Sequence, residues 1–277
     1  MAKNLELTAL PLTPWRKIAL GTWNEGGDPS VYGTLEINAR RLVARQKAIA
    51  ERAGEKPPTI TAIVATAVAR VLKRHPEINA LLRFGRLYQR RTVTLFLQAA
   101  ADDDGKELSG VTITQAEDKT LADVMGEIRA KAQAIRAGND PNFKQVKSAF
   151  GKIPAFLAGF VLNLISFLVY TLNLDLSGLG LPRDVMGSVM ITSIGSIGLD
   201  QAFVPLVPYS RVPLLIAVGA LGDQVRAEAG EIVVVPVFKL CVTFDHRLVD
   251  GLHAAKMAKQ MRRLLETDEG LDEVGLV

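Results

Sequence analysis

The chain has 277 residues, with 33 Lys and Arg against 29 Asp and Glu, a formal charge of +4 and 48% hydrophobic residues. That length allows a substantial hydrophobic core, and a mean hydropathy of +0.19 predicts either a large core or apolar surface facing a subunit, a membrane or an apolar ligand. The small, dispersed basic excess assigns no nucleic-acid partner, and a single cysteine, Cys241, excludes an internal disulfide and any multi-cysteine zinc site, so no metal is expected.

The amino terminus, MAKNLELTALPLTPWRK, carries charge and prolines where a signal peptide would be continuously apolar. A cytoplasmic location is the expectation. Residues 1 to 12 read as an extended lead-in, and Thr13 with Pro14 offers a cap and first turn for a helix over LTPWRKIALGTW. VYGTLEI alternates as a strand, and NARRLVARQKAIAERAG reads as a basic helix closed by Gly54. TITAIVATAVARVLKRHP predicts a core helix that Pro76 stops. Short strands are expected at NALLRF, RLYQRR and TVTLFLQAA, the last entering an acidic turn from Asp102 to Gly105, followed by strand GVTIT and helix TLADVMGEIRAKAQAIRAG.

Ile153 to Leu174 contains no charged residue. It fits three readings: buried core, ligand cavity or subunit contact; a helix at a lipid surface, with Lys144, Lys147 and Lys152 just before it; or a membrane span, which Pro154, Gly159, Asn163, Ser166 and Asn173 weaken. Strands GSVMITSIG, VPLLIAVGAL and EIVVVPVFKLCVTF follow, then a turn and a terminal helix, GLHAAKMAKQMRRLLET. Strands and helices do not alternate regularly, so the expected fold class is α/β in the form of a two-layer sandwich of mixed β-sheet with helices, not a doubly wound sheet.

The chain spends one of its three histidines in TFDHRLVDG. An imidazole held between Asp245 and Arg247, with Asp250 beyond, can take and return a proton if its orientation is fixed. Asp245 and Asp250 offer His246 charge partners, and Arg247 a counter-charge. The same string also fits a structural histidine in a salt-bridged turn. His253 reads as helix packing or solvent-exposed, His75 as a helix-end cation, and Cys241 as an inert core thiol. GSIG and GALGD lack the spacing of a phosphate loop.

DHRLVDG resembles the DHRxxDG motif of the dihydrolipoamide acyltransferase catalytic domain of 2-oxo acid dehydrogenase complexes, whose fold is shared with chloramphenicol acetyltransferase. PLTPWRKIAL, VARVLKRHPEINALL and VMITSIGSIGLDQAFVPLVPYSRVPLLIAVGAL resemble further stretches of that family in the correct order. The resemblance implies a coenzyme A-dependent acyltransferase fold and an acyl transfer between a thioester and a thiol or other acceptor, with acyl-coenzyme A as substrate. His246 takes the place of the general base and Thr192 that of the oxyanion-stabilising serine, with Ser193 beside it. Asp250 would pair with Arg16 to lock the histidine's turn, and Arg247 supports it. The family's trimers imply a homotrimer, or multiples of one, with each site between subunits.

Three features depart from the family pattern. The chain begins near its first expected helix, so residues 1–277 read as one catalytic domain without a lipoyl or peripheral subunit-binding domain, and no lipoyl group is expected on it. The family's D-x-x-x-G-L-x-V-P-V stretch is DDDGKELSGVTI here. An apolar insertion spans about 146–184 and would bind a longer acyl chain or bring the protein to lipid, at the membrane periphery. The competing reading is a non-catalytic trimeric scaffold that keeps the fold and docks partners through the insertion.

Overall fold

The computed structural model describes residues 4–11, 28–54, 56–100, 108–138, 154–181 and 183–277. The expected helix opening at Thr13 and Pro14, Arg16, and the acidic turn from Asp102 to Gly105 lie outside the described residues. The larger sheet has the order β2 (Ser30–Asn38), β10 (Glu231–Asp245), β8 (Leu214–Val218), β7 (Val189–Ser193), β5 (Leu95–Ala100), β6 (Leu108–Ile113), with β9 (Gly222–Glu228) paired to β10. β7 runs parallel to both β5 and β8, and the other pairings are antiparallel, so the sheet is mixed, as the irregular order of elements predicts. A separate three-stranded sheet orders β1 (Leu7–Ala9), β4 (Arg86–Arg90) and β3 (Ala80–Arg83). The residues expected only as an extended lead-in thus supply an edge strand.

Strand alternation assigns the two faces of the large sheet. Val189 and Ile191 of β7, Leu214, Ile216 and Val218 of β8, and Phe238, Leu240 and Phe244 of β10 belong to the main core. Helices α1 (Arg40–Ala53), α2 (Ile60–Arg74), α3 (Leu121–Arg136), α5 (Gly251–Glu266) and α6 (Asp268–Val274) supply residues to the same core. Helix α2 lies at its centre: ten of its residues are buried, Thr59 caps it by accepting the Ala62 N–H at 3.2 Å, and Lys73 and Arg74 occupy its last turn. Apolar side chains on nearly every side fit a helix enclosed by sheet and neighbouring helices. Gly54 ends α1 at φ 62, the left-handed conformation expected of a glycine there.

The opposite face carries Met190 and Leu215, which pack with Phe96 and Val212, and Ala217 and Cys241, which pack with Ile194. Irregular chain between β7 and β8 covers it: Val204, Leu206 and Val207 lie on the first group, Ala202 and Val204 on the second. Cys241 is a buried core thiol, as its place in the strand alternation predicts.

The apolar segment forms helix α4 (Ala155–Ser166), extended by a wider π-helical turn from Phe167 to Thr171. One side packs: Ile165, Val169 and Tyr170 lie against Leu5 and Leu81. The other side is exposed at Phe156, Phe160, Leu164 and Phe167, which share a face at spacings of four, four and three. The segment is therefore neither fully buried nor free, and no helix among the described residues is long and apolar enough to cross a membrane. Asn173 ties its end to the chain just before β1: at φ 58, which Asn tolerates better than most residues, it accepts the Leu5 N–H at 2.7 Å and donates to Leu5 O at 2.8 Å. The chain then re-enters the sheet through a buried ion pair, Arg90 Nη1 to Asp184 Oδ2 at 2.5 Å. Burial raises the Asp184 carboxyl while Arg90 opposes that shift, and Tyr170 beside them is raised by burial.

Candidate active site

β10 ends at Asp245, and the turn that follows is held from several sides. Asp245 N donates to Pro213 O and His246 N to Pro29 O, both at 2.9 Å, while Asp245 O accepts from Leu248 N at 3.0 Å and Val249 N at 2.9 Å. The Asp245 carboxylate, 7% exposed, accepts the Arg247 backbone N–H at 2.9 Å and grips its guanidinium through Nε at 2.9 Å and Nη2 at 2.6 Å. That two-pronged, charge-assisted geometry is the strong form of the interaction. Of the residues flanking His246, Asp245 engages Arg247, two residues on, through both of its oxygens. His246 stands between them, half-buried, its backbone N–H held by Pro29.

Asp250 opens α5. Its carboxylate accepts the His253 N–H at 3.0 Å and lies 2.9 Å from His253 Nδ1, a capping box with histidine at the third helical position. The reading of His253 as mere packing or solvent exposure is therefore corrected. The signal available in the sequence was an Asn/Asp-type cap three residues before a side chain able to reach back. His75 ends α2, its backbone N–H on Val71 O at 3.0 Å and its Nδ1 3.2 Å from Glu77 Oε1.

Thr192 and Ser193 end β7. Thr192 pairs in register with Ala217 of β8, which in turn pairs with Cys241 of β10. Thr192 lies on the face opposite the helices, half-buried, and Ser193 O accepts the Ser196 hydroxyl at 2.7 Å. The glycines that follow serve close packing: a Cβ on Gly195 would stand 2.6 Å from Ala220 N and Gly219 O. Because β10 runs against β8, the path from Cys241 to His246 leads away from Thr192. Five residues at strand rise, with two strand spacings across, put roughly 15–20 Å between Thr192 and His246 of one chain. The fold does not bring the two together within one subunit.

Two cavities flank the turn, and neither was legible in the sequence. One, of about 260 Å³, lies between the sheet and helices α2 and α5, with Phe244 and Val249 on either side of the turn among its apolar walls. The other, of about 440 Å³, is a polar cleft bordered by Pro29, Asp245, Arg247, Arg211 and Asn163 of α4. Among the described residues no cluster of His, Cys, Asp and Glu could hold a metal ion.

The model of the 2-oxoacid dehydrogenases acyltransferase family (catalytic domain) matches residues 6–144 and 181–271, and the chain belongs to that family. The match is interrupted between its two parts, over the segment that carries α4. The dihydrolipoyllysine-residue acetyltransferase component of the pyruvate dehydrogenase complex of Bacillus subtilis (strain 168) is 25% identical over 241 residues, 86% of this chain and 45% of that protein. The chain spans about half the length of the curated relatives it matches. The cubic core of the pyruvate dehydrogenase multienzyme complex superposes with a TM-score of 0.62 at 22% identity, covering 94% of this chain and 91% of the other. Chloramphenicol acetyltransferase superposes with a TM-score of 0.52 at 14% identity, covering 94% and 100%. The two-layer mixed-sheet fold is that of the chloramphenicol acetyltransferase-like acyltransferases, as the sequence motifs imply.

Proposed function

We propose that the chain is a coenzyme A-dependent acyltransferase that moves an acyl group between a thioester and a thiol or other acceptor. The observation that carries this is His246 on a rigid turn at the end of β10, immediately before an Asp250-capped helix, in a chain of this family. His246 removes the proton of the attacking thiol; the sulfur forms a bond to the thioester carbonyl carbon, and the Thr192 hydroxyl donates to the resulting oxyanion. Collapse breaks the original carbon–sulfur bond, and the leaving thiolate takes the proton back from His246.

The 15–20 Å between Thr192 and His246 supports a site completed by a second chain, with the base from one subunit and the hydroxyl from its neighbour. A homotrimer supplies that arrangement. The cubic core formed by one structural relative agrees with it, since cubic symmetry contains threefold axes. Asp250 positions the turn by capping α5, with Arg16 its proposed second partner, and Ser193 and Arg247 support the two ends of the site.

Residues 1–277 form one catalytic domain interrupted by an insertion over about 146–184, in keeping with the break in the family match. The exposed stripe from Phe156 to Phe167, on a helix with no charged residue, supports peripheral contact of a cytoplasmic enzyme with lipid. Co-sedimentation with anionic vesicles checks this: the wild-type chain binds, and Phe156→Ser/Phe160→Ser is released, whereas equal recovery of both would remove the lipid reading.

A transfer assay with acetyl-coenzyme A and dihydrolipoamide tests the enzyme reading. Thioester formation well above the uncatalysed rate is expected. A folded trimer that neither binds acyl-coenzyme A nor transfers would instead leave the fold as a non-catalytic scaffold.

A further inference from the structure

The proposed chemistry makes no use of the apolar cavity on the helix side of the large sheet. About 260 Å³ is enclosed between strands β2, β8 and β10 and helices α2 and α5, with Ile216, Leu240, Val71, Met257 and Met261 among its walls. Among the described residues that line it, Thr34 alone is polar, and its hydroxyl is engaged elsewhere, accepting from Gln201 Nε2 at 3.4 Å. A buried water needs two to four polar partners, and these walls offer none. The space suits hydrocarbon.

Protein interiors hold few voids larger than a water molecule, so an apolar space of this size calls for an occupant. Gly33 keeps it open. It lies in the middle of β2, paired with Val242, without the positive φ that would require a glycine, and a Cβ there would meet nothing within 4 Å. Glycine weakens a strand interior and often marks the close approach of a ligand. Across from it α5 presents Ala254, Ala255 and Ala258. Ala255 is exposed and Gly33 and Ala258 are half-buried, whereas Ile216 and Met261 are buried, so the cavity opens between the edge strand β2 and α5. Its walls run from Ala254 to Met261 of α5, about 10 Å of helix, and from Leu240 to Phe244 of β10, about 13 Å of strand. A cavity of about 150 Å³ with walls of the same kind takes up benzene, and in proportion this one holds about ten carbons.

We propose that this cavity is a binding site for an unbranched aliphatic chain of about ten carbons with an anionic head, a free medium-chain fatty acid, bound tail inward. The length of the walls suits a straight chain better than fused rings. Lys256 and Lys259 are exposed beside the mouth, Lys259 one helical turn beyond Ala255, and neither makes an ion pair among the described residues. A carboxylate at the mouth stays in water and meets two ammonium groups. The ligand is held, not transformed: the cavity lies on the helix side of the sheet, and Thr192 on the other. The site therefore stands whether or not the acyltransferase reading does.

Methionine-methyl NMR of the full chain, titrated with decanoate, 1-decanol and butyrate below their micellar concentrations, tests this. Decanoate is expected to shift the methyls of Met257 and Met261, which line the cavity, and to leave Met190, on the opposite face of the sheet, in place. At about a hundred times its Kd it should raise the melting temperature by about 5–10 °C. Butyrate, with six fewer methylenes to bury, should bind more than about a hundredfold more weakly. Ala258→Leu fills the space: it should abolish the shifts and raise the ligand-free melting temperature by a few degrees, with Gly33→Val as the filling variant on the opposite wall. Lys256→Gln/Lys259→Gln should weaken decanoate severalfold and leave 1-decanol unchanged. Absence of Met257 and Met261 shifts with decanoate, butyrate binding as tightly as decanoate, or shifts that persist in a folded, filled variant would each overturn the site. Undiminished decanoate binding by the double lysine variant would overturn the anionic head.

Discussion

Replacing His246 by alanine is expected to lower acyl transfer by about 10²–10⁴-fold, the contribution of a positioned general base. The protein should remain folded, because alanine keeps the backbone and Asp245–Arg247 bonds that close the turn. Asp245 O accepts from Leu248 and Val249, the Asp245 carboxylate holds Arg247, and the His246 backbone N–H rests on Pro29. The comparison is between steady-state rates of the two purified proteins, with circular dichroism melts to establish that both are folded. A folded variant whose rate stays within about threefold of wild type would remove His246 from the chemistry.

Thr192→Ala is expected to cost about 10²–10³-fold in turnover, the effect of removing one donor to a developing oxyanion. Thr192→Ser keeps the hydroxyl and should retain most of the rate. The two variants separate hydroxyl chemistry from packing: the methyl of Thr192 is lost in both, and only the alanine removes the donor. If the two fell equally, the threonine would be acting through its place beside Ala217 in the sheet rather than as a donor.

Much of the fold could be read from residue patterns alone. Helix α2 announced itself by a long aliphatic run with a threonine before it and a proline after, and the fifteen residues of β10 by β-branched and aromatic content. Strand β9 escaped because Gly222–Glu228 is polar and largely exposed, an edge strand with little burial to shape its sequence. The hairpin turn that joins it to β10 places Ala229 at φ 52 and Gly230 at φ 89, and only the glycine hinted at it. Helix α6 was missed although Thr267, which accepts the Gly270 N–H at 3.0 Å, and the acidic pair Asp268 and Glu269 mark its start.

The candidate site was legible to a smaller degree, and for a physical reason. The family motif singles out His246, but pairing in and just after DHRLVDG depends on the shape of the turn, which gives Asp245 to Arg247 and His253 to Asp250. The polar cleft joins residues near positions 29, 163–166, 205–212 and 245–248, a convergence that exists only once the insertion packs against the sheet's irregular cover. No local periodicity reports such a meeting. The separation of Thr192 from His246 likewise follows from strand direction, which composition does not encode.

The most direct test of the central claim mixes two inactive proteins. His246→Ala and Thr192→Ala, each nearly inactive alone, are denatured and refolded together, or co-expressed, so that mixed trimers form. If base and hydroxyl come from neighbouring subunits, about a quarter of the interfaces in a random mixture carry both, and activity should recover to about a quarter of wild type. Activity no greater than the sum of the two variants alone, in trimers shown to be mixed, would contradict a site shared between chains.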